Sequence, residues 1–513
     1  MRMDAPMISA AQPMPLGELA AGLGRVRGDA TIQVQSIAID SRQVTPGALF
    51  VARRGLAVDG HRYAADAVAR GAVAVAVEES ADVAGLEVEL DQLHVPVLKV
   101  PASDTALAHL ACRIYGHPSH ELTVVAVTGT NGKTTVTHLV ASAFVASGRP
   151  AAVFGTLGYG PPGGSLEPTQ HTTPPAPEYQ GILRRLADQG IEAVASEVSS
   201  HALKTDRVLG TRFAAAIFTN LTRDHLDFHR DEADYLASKR RLFERKARGD
   251  DRPLVAVVNA DDPAASHFIA AAKRSGDRVI TTSQSAAADV RVERADLGPG
   301  GTALVIAHPG GTTSLQLRLP GAYNVANALG AFAAGTGLGL DPAAVARGLE
   351  AVARVPGRLE RVEGGGDIEV LVDYGHTPDA LATMLATARG VTRGRLIAVF
   401  GCGGDRDRGK RPLMAEVGTR LADVAILTTD NPRSEDPRAI LAEMEAGIPA
   451  GRSYEVVPDR RAAIERAITV ARPGDVVVLA GKGHETVQII GDRRLPFDDR
   501  EEARRILRAQ GKR

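Results

Sequence analysis

Thr123-Val124-Val125-Ala126-Val127-Thr128 runs directly into Gly129-Thr130-Asn131-Gly132-Lys133-Thr134-Thr135, and this junction decides how the rest of the 513-residue chain is read. The first six residues are an apolar, β-branched run suited to a buried strand. The glycines behind it let backbone N–H groups turn toward an anion. Lys133–Ala146, ended by Gly148, predicts a helix whose N-terminus adds a favourable dipole. Lys133 is placed to reach terminal phosphates, and the Thr134 hydroxyl to meet Mg²⁺. The spacing is a shortened Gly-x-x-Gly-Lys-Thr, with Val127 where the longer loop has its first glycine. A glycine-rich turn capping a helix explains the glycines but not Lys-Thr-Thr after them. The stretch therefore predicts a phosphate loop, Gly129–Thr135, although such loops serve GTPases, kinases and transport ATPases alike.

Outward from the loop, short apolar runs alternate with amphipathic stretches, the pattern of layered α/β structure. Strands are expected at Ile32–Ile39, Ala48–Ala52 and Ala72–Val77 before the loop, and at Ala193–Val198, Ala214–Thr219 and Leu254–Asn259 after it. Residues 288–319 suggest a small antiparallel excursion, followed by helices from Asn324 to Ala334 and from Pro342 to about Ala353. Val355-Pro356-Gly357 reads as a hinge. Beyond it, strands at Glu369–Asp373, Leu396–Gly401, Val424–Thr428 and Val476–Ala480 alternate with helices. The expectation is an α/β protein of three domains, residues 1–119, 120–355 and 356–513, with a parallel sheet in the central one.

Composition narrows the function. Lys plus Arg (60) balances Asp plus Glu (61), and aromatic residues are 4% with no tryptophan. Neither a basic patch nor a stacking array points to nucleic acid. Two distant cysteines, Cys112 and Cys402, argue against a disulfide framework and for a reducing compartment. The N-terminal residues hold Asp4 and several prolines but no apolar run, and no stretch approaches a membrane span. A cytoplasmic protein is expected.

Five further segments accompany the loop: Glu197-Val198-Ser199-Ser200-His201, Asn220-Leu221-Thr222-Arg223-Asp224-His225-Leu226-Asp227, Gly321-Ala322-Tyr323-Asn324-Val325-Ala326-Asn327, Asp373-Tyr374-Gly375-His376-Thr377-Pro378 and Gly481-Lys482-Gly483-His484-Glu485. In this order, and over essentially the whole chain, the series resembles the Mur ligase family of peptidoglycan synthesis. The resemblance implies a UDP-binding N-terminal domain, a central phosphate-loop ATPase domain and a C-terminal Rossmann-like domain. It implies a reaction in which ATP phosphorylates a substrate carboxylate and an amine displaces phosphate from the acyl phosphate. Two anions, carboxylate and triphosphate, must be brought together, and metal ions and lysines do this by neutralising charge.

The same resemblance implies residue roles. Thr134 and Glu197 would hold Mg²⁺ on the ATP phosphates, with Glu197 as the carboxylate ending a strand beside the loop. His225 and a carbamylated Lys239 would serve a second metal. Read alone, Glu197 is a capping carboxylate, His225 a buried satisfied imidazole and Lys239 an exposed helical lysine. Asn324 and Asn327, Arg358, Asp373 and His376 would complete the ATP site with Gly129, Thr130, Asn131, Gly132, Lys133, Thr134 and Thr135. Gly375 departs from the family's usual alanine.

Ile39-Asp40-Ser41-Arg42 and Pro46–Val51 resemble the uridine site of the branch adding the third stem-peptide residue. Ile39, Ser41, Leu56, Ala57, Val58, His171, Thr172, Thr173, Ser199, Thr205 and Arg207 would then line the UDP-muramoyl-dipeptide site. His171 and Thr205 depart from the pattern's asparagine and glutamine. Asp430-Asn431-Pro432-Arg433 resembles the signature of members that add meso-diaminopimelate, with Arg406, Gly481 and Glu485 completing the pocket. Diaminopimelate is lysine with an extra distal carboxylate, which an arginine can pair bidentately, whereas the bare ammonium of lysine would be repelled there.

The expected activity is thus amide ligation of meso-2,6-diaminopimelate onto the D-Glu carboxylate of UDP-N-acetylmuramoyl-L-Ala-D-Glu, with ATP as co-substrate and Mg²⁺ as cofactor. The expected partners are these small molecules, with no nucleic acid or membrane, and a monomeric chain. An L-lysine-adding ligase and a folylpolyglutamate synthetase are sibling readings. A nucleotide switch would need the loop but not Lys239, Arg406 or Glu485.

Overall fold

The computed structural model describes residues 12–55, 58–81, 86–298 and 301–510. Thr123–Thr128 is the strand expected, and it lies inside a ten-stranded sheet. Ala193–Glu197 pairs with it in parallel on one side and Phe213–Phe218 on the other. The chain leaves Thr123–Thr128, builds Ala151–Gly155 and Ala193–Glu197 on one flank, and then returns to the opposite flank. That reversal opens a crevice at the carboxyl end of the strand, where the loop sits. Alternation along the strand serves two cores. Val125 and Val127 pack with Leu139, Val140 and Phe144 of the helix Lys133–Ala146, while Val124 and Ala126 pack with Phe154, Tyr179 and Leu183.

The central sheet is not parallel throughout, as the sequence suggested. Gly158–Gly160 runs antiparallel at one edge, and Gly301–His308 and Gly311–Leu317 continue the other edge antiparallel after Val290–Gly298. The expected excursion at 288–319 is therefore an extension of the main sheet. The glycine- and Thr-rich alternation there fits strands with one wet face.

The N-terminal unit holds a five-stranded sheet in the order Arg25–Arg27, Val97–Val100, Ala72–Glu78, Ala48–Val51, Ser36–Ala38. The strand expected at Ile32–Ile39 is two short ones, because Gln33–Val34 pairs with Met14–Pro15 while Ser36–Ala38 pairs with Ala48–Val51. The C-terminal unit orders Glu360–Val362, Glu369–Asp373, Val476–Ala480, Leu396–Phe400, Val424–Leu427 and Glu455–Val456, parallel except for the first. Its loops at Asp373, Ala480 and Leu427 all leave carboxyl strand ends, so the segments carrying chemistry gather on one edge.

Candidate active site

Gly129 and Gly132 both take positive φ, 150° and 87°, which a side chain would strain. A Cβ on Gly132 would also lie 2.4 Å from Asn327 Oδ1. Lys133 folds back over the loop and donates to the carbonyls of Gly129 at 3.0 Å and Thr130 at 2.9 Å. The Asn131 N–H donates to Asn220 Oδ1 at 2.9 Å, and Thr130 Oγ1 contacts the Tyr235 hydroxyl at 3.1 Å. The loop is thus held from behind by the segments that follow Phe213–Phe218.

Glu197 is buried one strand away, level with Val127. Its Oε1 accepts from the Thr156 N–H and its Oε2 from Thr156 Oγ1, both at 3.0 Å. It is not a helix cap. Lys239 is the largest departure from a reading of the residues alone. It is buried rather than exposed, because Glu232–Arg240 packs its Lys239 face onto the loop. Its Nζ donates to Gly129 O at 2.8 Å and lies 4.5 Å from the Tyr235 ring centroid. Burial, then the nearby Lys133, holds this amine well below the usual lysine range.

Asp224 is buried between two imidazoles, with His225 Nε2 at 3.4 Å and His376 Nε2 of the C-terminal unit at 3.7 Å. Burial works to raise its carboxyl, but His225, His376 and Lys410 together hold it below the ordinary range. His225 adopts a left-handed backbone, φ 57°, and is partly exposed. Loss of solvation lowers its imidazole, against the opposing pull of the Asp224 charge.

The C-terminal unit reaches the loop directly. Arg358 Nη2 donates to Thr134 Oγ1 at 2.9 Å, with its guanidinium 4.9 Å from the Tyr374 ring centroid. Asp373 accepts from the backbone N–H groups of Leu359 at 2.7 Å and Gly375 at 2.6 Å, and burial raises its carboxyl. A Cβ at Gly375 would meet Asp373 Oδ1 at 3.0 Å, so glycine gives this turn room that alanine would narrow. Arg223 pairs with Asp407 at 3.2 Å across the same boundary. Asn324 and Asn327 are both buried. Asn324 Nδ2 donates to Pro320 O at 2.7 Å, and Asn327 Nδ2 donates to Asn324 Oδ1 at 3.0 Å.

Five of the residues expected around the nucleotide sugar, Thr172, Thr173, Ser199, Thr205 and Arg207, form one network beside Glu197. Thr172 Oγ1 meets Thr156 Oγ1 at 2.9 Å, and Thr173 Oγ1 donates to Glu197 O at 2.8 Å and accepts from the Ser199 N–H at 3.1 Å. Arg207 donates to Thr173 O at 2.9 Å and to Thr205 Oγ1 at 3.1 Å. His171 is exposed next to them. Burial, then Arg53 of the N-terminal unit, lowers the Arg207 guanidinium. Ile39, Ser41 and Val58 stay on the N-terminal unit, with Ser41 buried and Val58 exposed. Leu56 and Ala57 lie outside the described residues.

Asp430, Asn431, Pro432 and Arg433 follow Val424–Leu427, and Gly481 and Glu485 follow Val476–Ala480. Asn431 Nδ2 donates to Glu485 Oε2 at 2.8 Å. Arg433, in a left-handed backbone at φ 52°, donates to Gly404 O at 2.7 Å. Burial, then Arg406, lowers its guanidinium. Arg406 itself is exposed and bonds only Asp405 O, at 2.8 Å, among the described residues. Asp224 and Lys482 stood inside the quoted motifs without an assigned role. Thr156 and Asp407 carried no signal in the sequence.

A phosphate loop at a sheet switch point, closed over by a Rossmann-like unit that brings its own arginine, defines a three-domain, ATP-dependent ligase. The chain belongs to the Mur ligase family. Models for the Mur ligase family catalytic domain, the Mur ligase middle domain and the Mur ligase glutamate ligase domain match residues 33–115, 127–335 and 357–483. The UDP-N-acetylmuramoyl-L-alanyl-D-glutamate–2,6-diaminopimelate ligase of Geobacillus thermodenitrificans is 44% identical over 478 residues, covering 93% of this chain and 95% of that one. A solved structure of a ligase of the same description aligns with a TM-score of 0.67 and 33% identity over 98% of this chain and 100% of the other. Folylpolyglutamate synthase from Mycobacterium tuberculosis shares the fold, with a TM-score of 0.61 and 21% identity over 72% of this chain and 91% of its own.

Proposed function

We propose that this ligase joins the amino group of meso-2,6-diaminopimelate to the D-Glu carboxylate of UDP-N-acetylmuramoyl-L-Ala-D-Glu. The observation that carries the choice of amino acid is Arg433. Its guanidinium is brought beside Arg406 while Asn431 and Glu485 face each other across the same loops. Two guanidiniums suit a distal carboxylate, and Glu485 suits the ammonium on the same carbon. L-lysine has no carboxylate to offer there. Folylpolyglutamate synthase, whose likeness to this chain covers a smaller share, gives no account of this loop.

In this reading Gly129–Thr135 binds the ATP phosphates and Lys133 leaves the loop carbonyls for the transferred phosphoryl group. Glu197 and the Thr134 hydroxyl are hard oxygen donors on adjoining elements and fit Mg²⁺, with phosphate oxygens and water completing its shell. Bound there, the ion would screen the carboxylate from the triphosphate. Arg358 turns from Thr134 Oγ1 to the phosphates, so nucleotide binding and domain contact are coupled. Lys239, whose ammonium burial makes easier to deprotonate, can in its neutral form attack CO₂ to give a carbamate and release a proton, converting a buried amine into an anion that would serve a second metal. Asn324 and Asn327 shape the loop from its helix side.

We place the domain borders near 119/120 and 355/356. No helix among the described residues is long and apolar enough to cross a membrane. Cys112 and Cys402 are buried and unpaired, which with ATP and a UDP-linked substrate favours the cytoplasm.

A coupled phosphate-release assay tests the reading. Turnover is expected only with ATP, the UDP-muramoyl dipeptide and meso-diaminopimelate together. Equal turnover with L-lysine would refute the amino-acid assignment.

A further inference from the structure

Lys482 is fully buried, and its ammonium donates to Val487 O at 2.7 Å, Glu485 Oε2 at 2.9 Å and Asn431 Oδ1 at 3.1 Å. An ammonium has three N–H donors, so the protein uses all of them and none is left for a ligand. The same Glu485 Oε2 also accepts from Asn431 Nδ2 at 2.8 Å. Glu485 Oε1 has no hydrogen bond among the described residues, and the side chain is 27% exposed. One carboxylate oxygen is thus clamped by two donors, one of them charged, while the other, on a side chain that is partly exposed, takes no hydrogen bond among the described residues.

The second neighbour is Asp430, whose buried Oδ1 lies 3.8 Å from Lys482 Nζ and has no hydrogen-bond partner. Without Lys482, Asp430 and Glu485 would be left with the buried Arg460, which is already paired with Asp499. Glu485, the more exposed of the two, would turn to water.

We propose that Lys482 is a positioning residue that aims Glu485 Oε1 at the distal ammonium of the amino-acid substrate. It thereby sets the preference for a substrate with both a distal amine and a distal carboxylate over one with the carboxylate alone. The inference rests on the diaminopimelate reading above and adds the residue that makes the ammonium half of that recognition.

The test compares kcat/KM for meso-diaminopimelate with that for 2-aminopimelate, which keeps the distal carboxylate and lacks the distal amine. The wild type favours diaminopimelate. Lys482→Met lowers that ratio at least tenfold, chiefly by raising the KM for diaminopimelate, with the KM for ATP unchanged. Lys482→Arg, which keeps the charge, retains most of the ratio. If the Met variant does not fold, Lys482→Gln must show the same loss. A neutral variant that slows both substrates alike overturns the inference, as does failure of both neutral variants to fold, since Lys482 is then only a structural staple. A wild type that does not turn over diaminopimelate removes the underlying reading as well. A wild type that does, with an unmoved ratio in the variant, removes this inference alone.

Discussion

Lys133 and Lys239 donate to one acceptor, the Gly129 carbonyl oxygen, at 3.0 and 2.8 Å. Two ammonium groups on one carbonyl repel, and Lys239, sealed beneath the loop, yields its proton the more readily. Lys239→Ala should lower turnover by roughly 10²-fold or more while an ATP analogue still binds within a few-fold of wild type, since Lys133 and the loop remain. Degassed, CO₂-free buffer should reduce wild-type activity, and bicarbonate should restore it. Activity indifferent to both treatments would argue against a carbamate.

Arg358 is the contact through which the C-terminal unit reaches the loop hydroxyl of Thr134. Arg358→Ala should cost about 10²-fold in kcat with the thermal midpoint near wild type, because the residue is only partly buried. Steady-state phosphate release and a melting curve check both halves. A kcat within twofold of wild type would show that the contact has no part in turnover.

Gly132→Ala puts a methyl group 2.4 Å from Asn327 Oδ1 at φ 87°. Strain of about 1–3 kcal/mol is expected, together with loss of ATP binding as the loop shifts. Asn327→Ala in the same chain should relieve the clash but not the backbone strain. Calorimetric titration with ATP distinguishes the two, and full recovery in the double variant would mean that the φ requirement is unimportant.

Burial holds His138 and His201 down to about 4 and His484 to about 3, helped by Arg358 at His138 and His484 and by His229 at His201. In the unfolded chain these imidazoles titrate near 6.5. Below that pH the unfolded state binds protons that the folded state refuses, so stability falls as pH drops from about 6.5 toward 4. Each group contributes up to about 1.4 kcal/mol per pH unit. The thermal midpoint should be several degrees lower at pH 5.5 than at pH 7.5. A flat profile would show that these rings are not held neutral.

The strand and helix on either side of the loop were legible to the residue, Thr123–Thr128 and Lys133–Ala146, because a buried parallel strand and a glycine-bounded helix are local patterns. So was Glu369–Asp373 with the motif at its end. The break at Gln35 was not, because Gln33–Val34 and Ser36–Ala38 differ only in which distant strand they pair with. The residues alone, without the family resemblance, place Lys239 on the surface for the same kind of reason. The short helix Glu232–Arg240 mixes polar and apolar residues without a pattern that shows what packs on its Lys239 face.

The sequence by itself determined that the phosphate loop, its shortened spacing and the ordered motifs after it belong to one nucleotide-dependent ligase. Those features are contiguous, and their chemistry follows from residue type and spacing. Only the tertiary structure decided that Lys239 shares a carbonyl with Lys133, that Asp224 lies between imidazoles of two units, and that Lys482 clamps Glu485. Lys133 and Lys239, and Asp224 and His376, are brought together from different elements, and Lys482 holds Glu485 within one loop while reaching Asn431 on another. A side chain's solvation and charge neighbours are set by which ends the fold brings together.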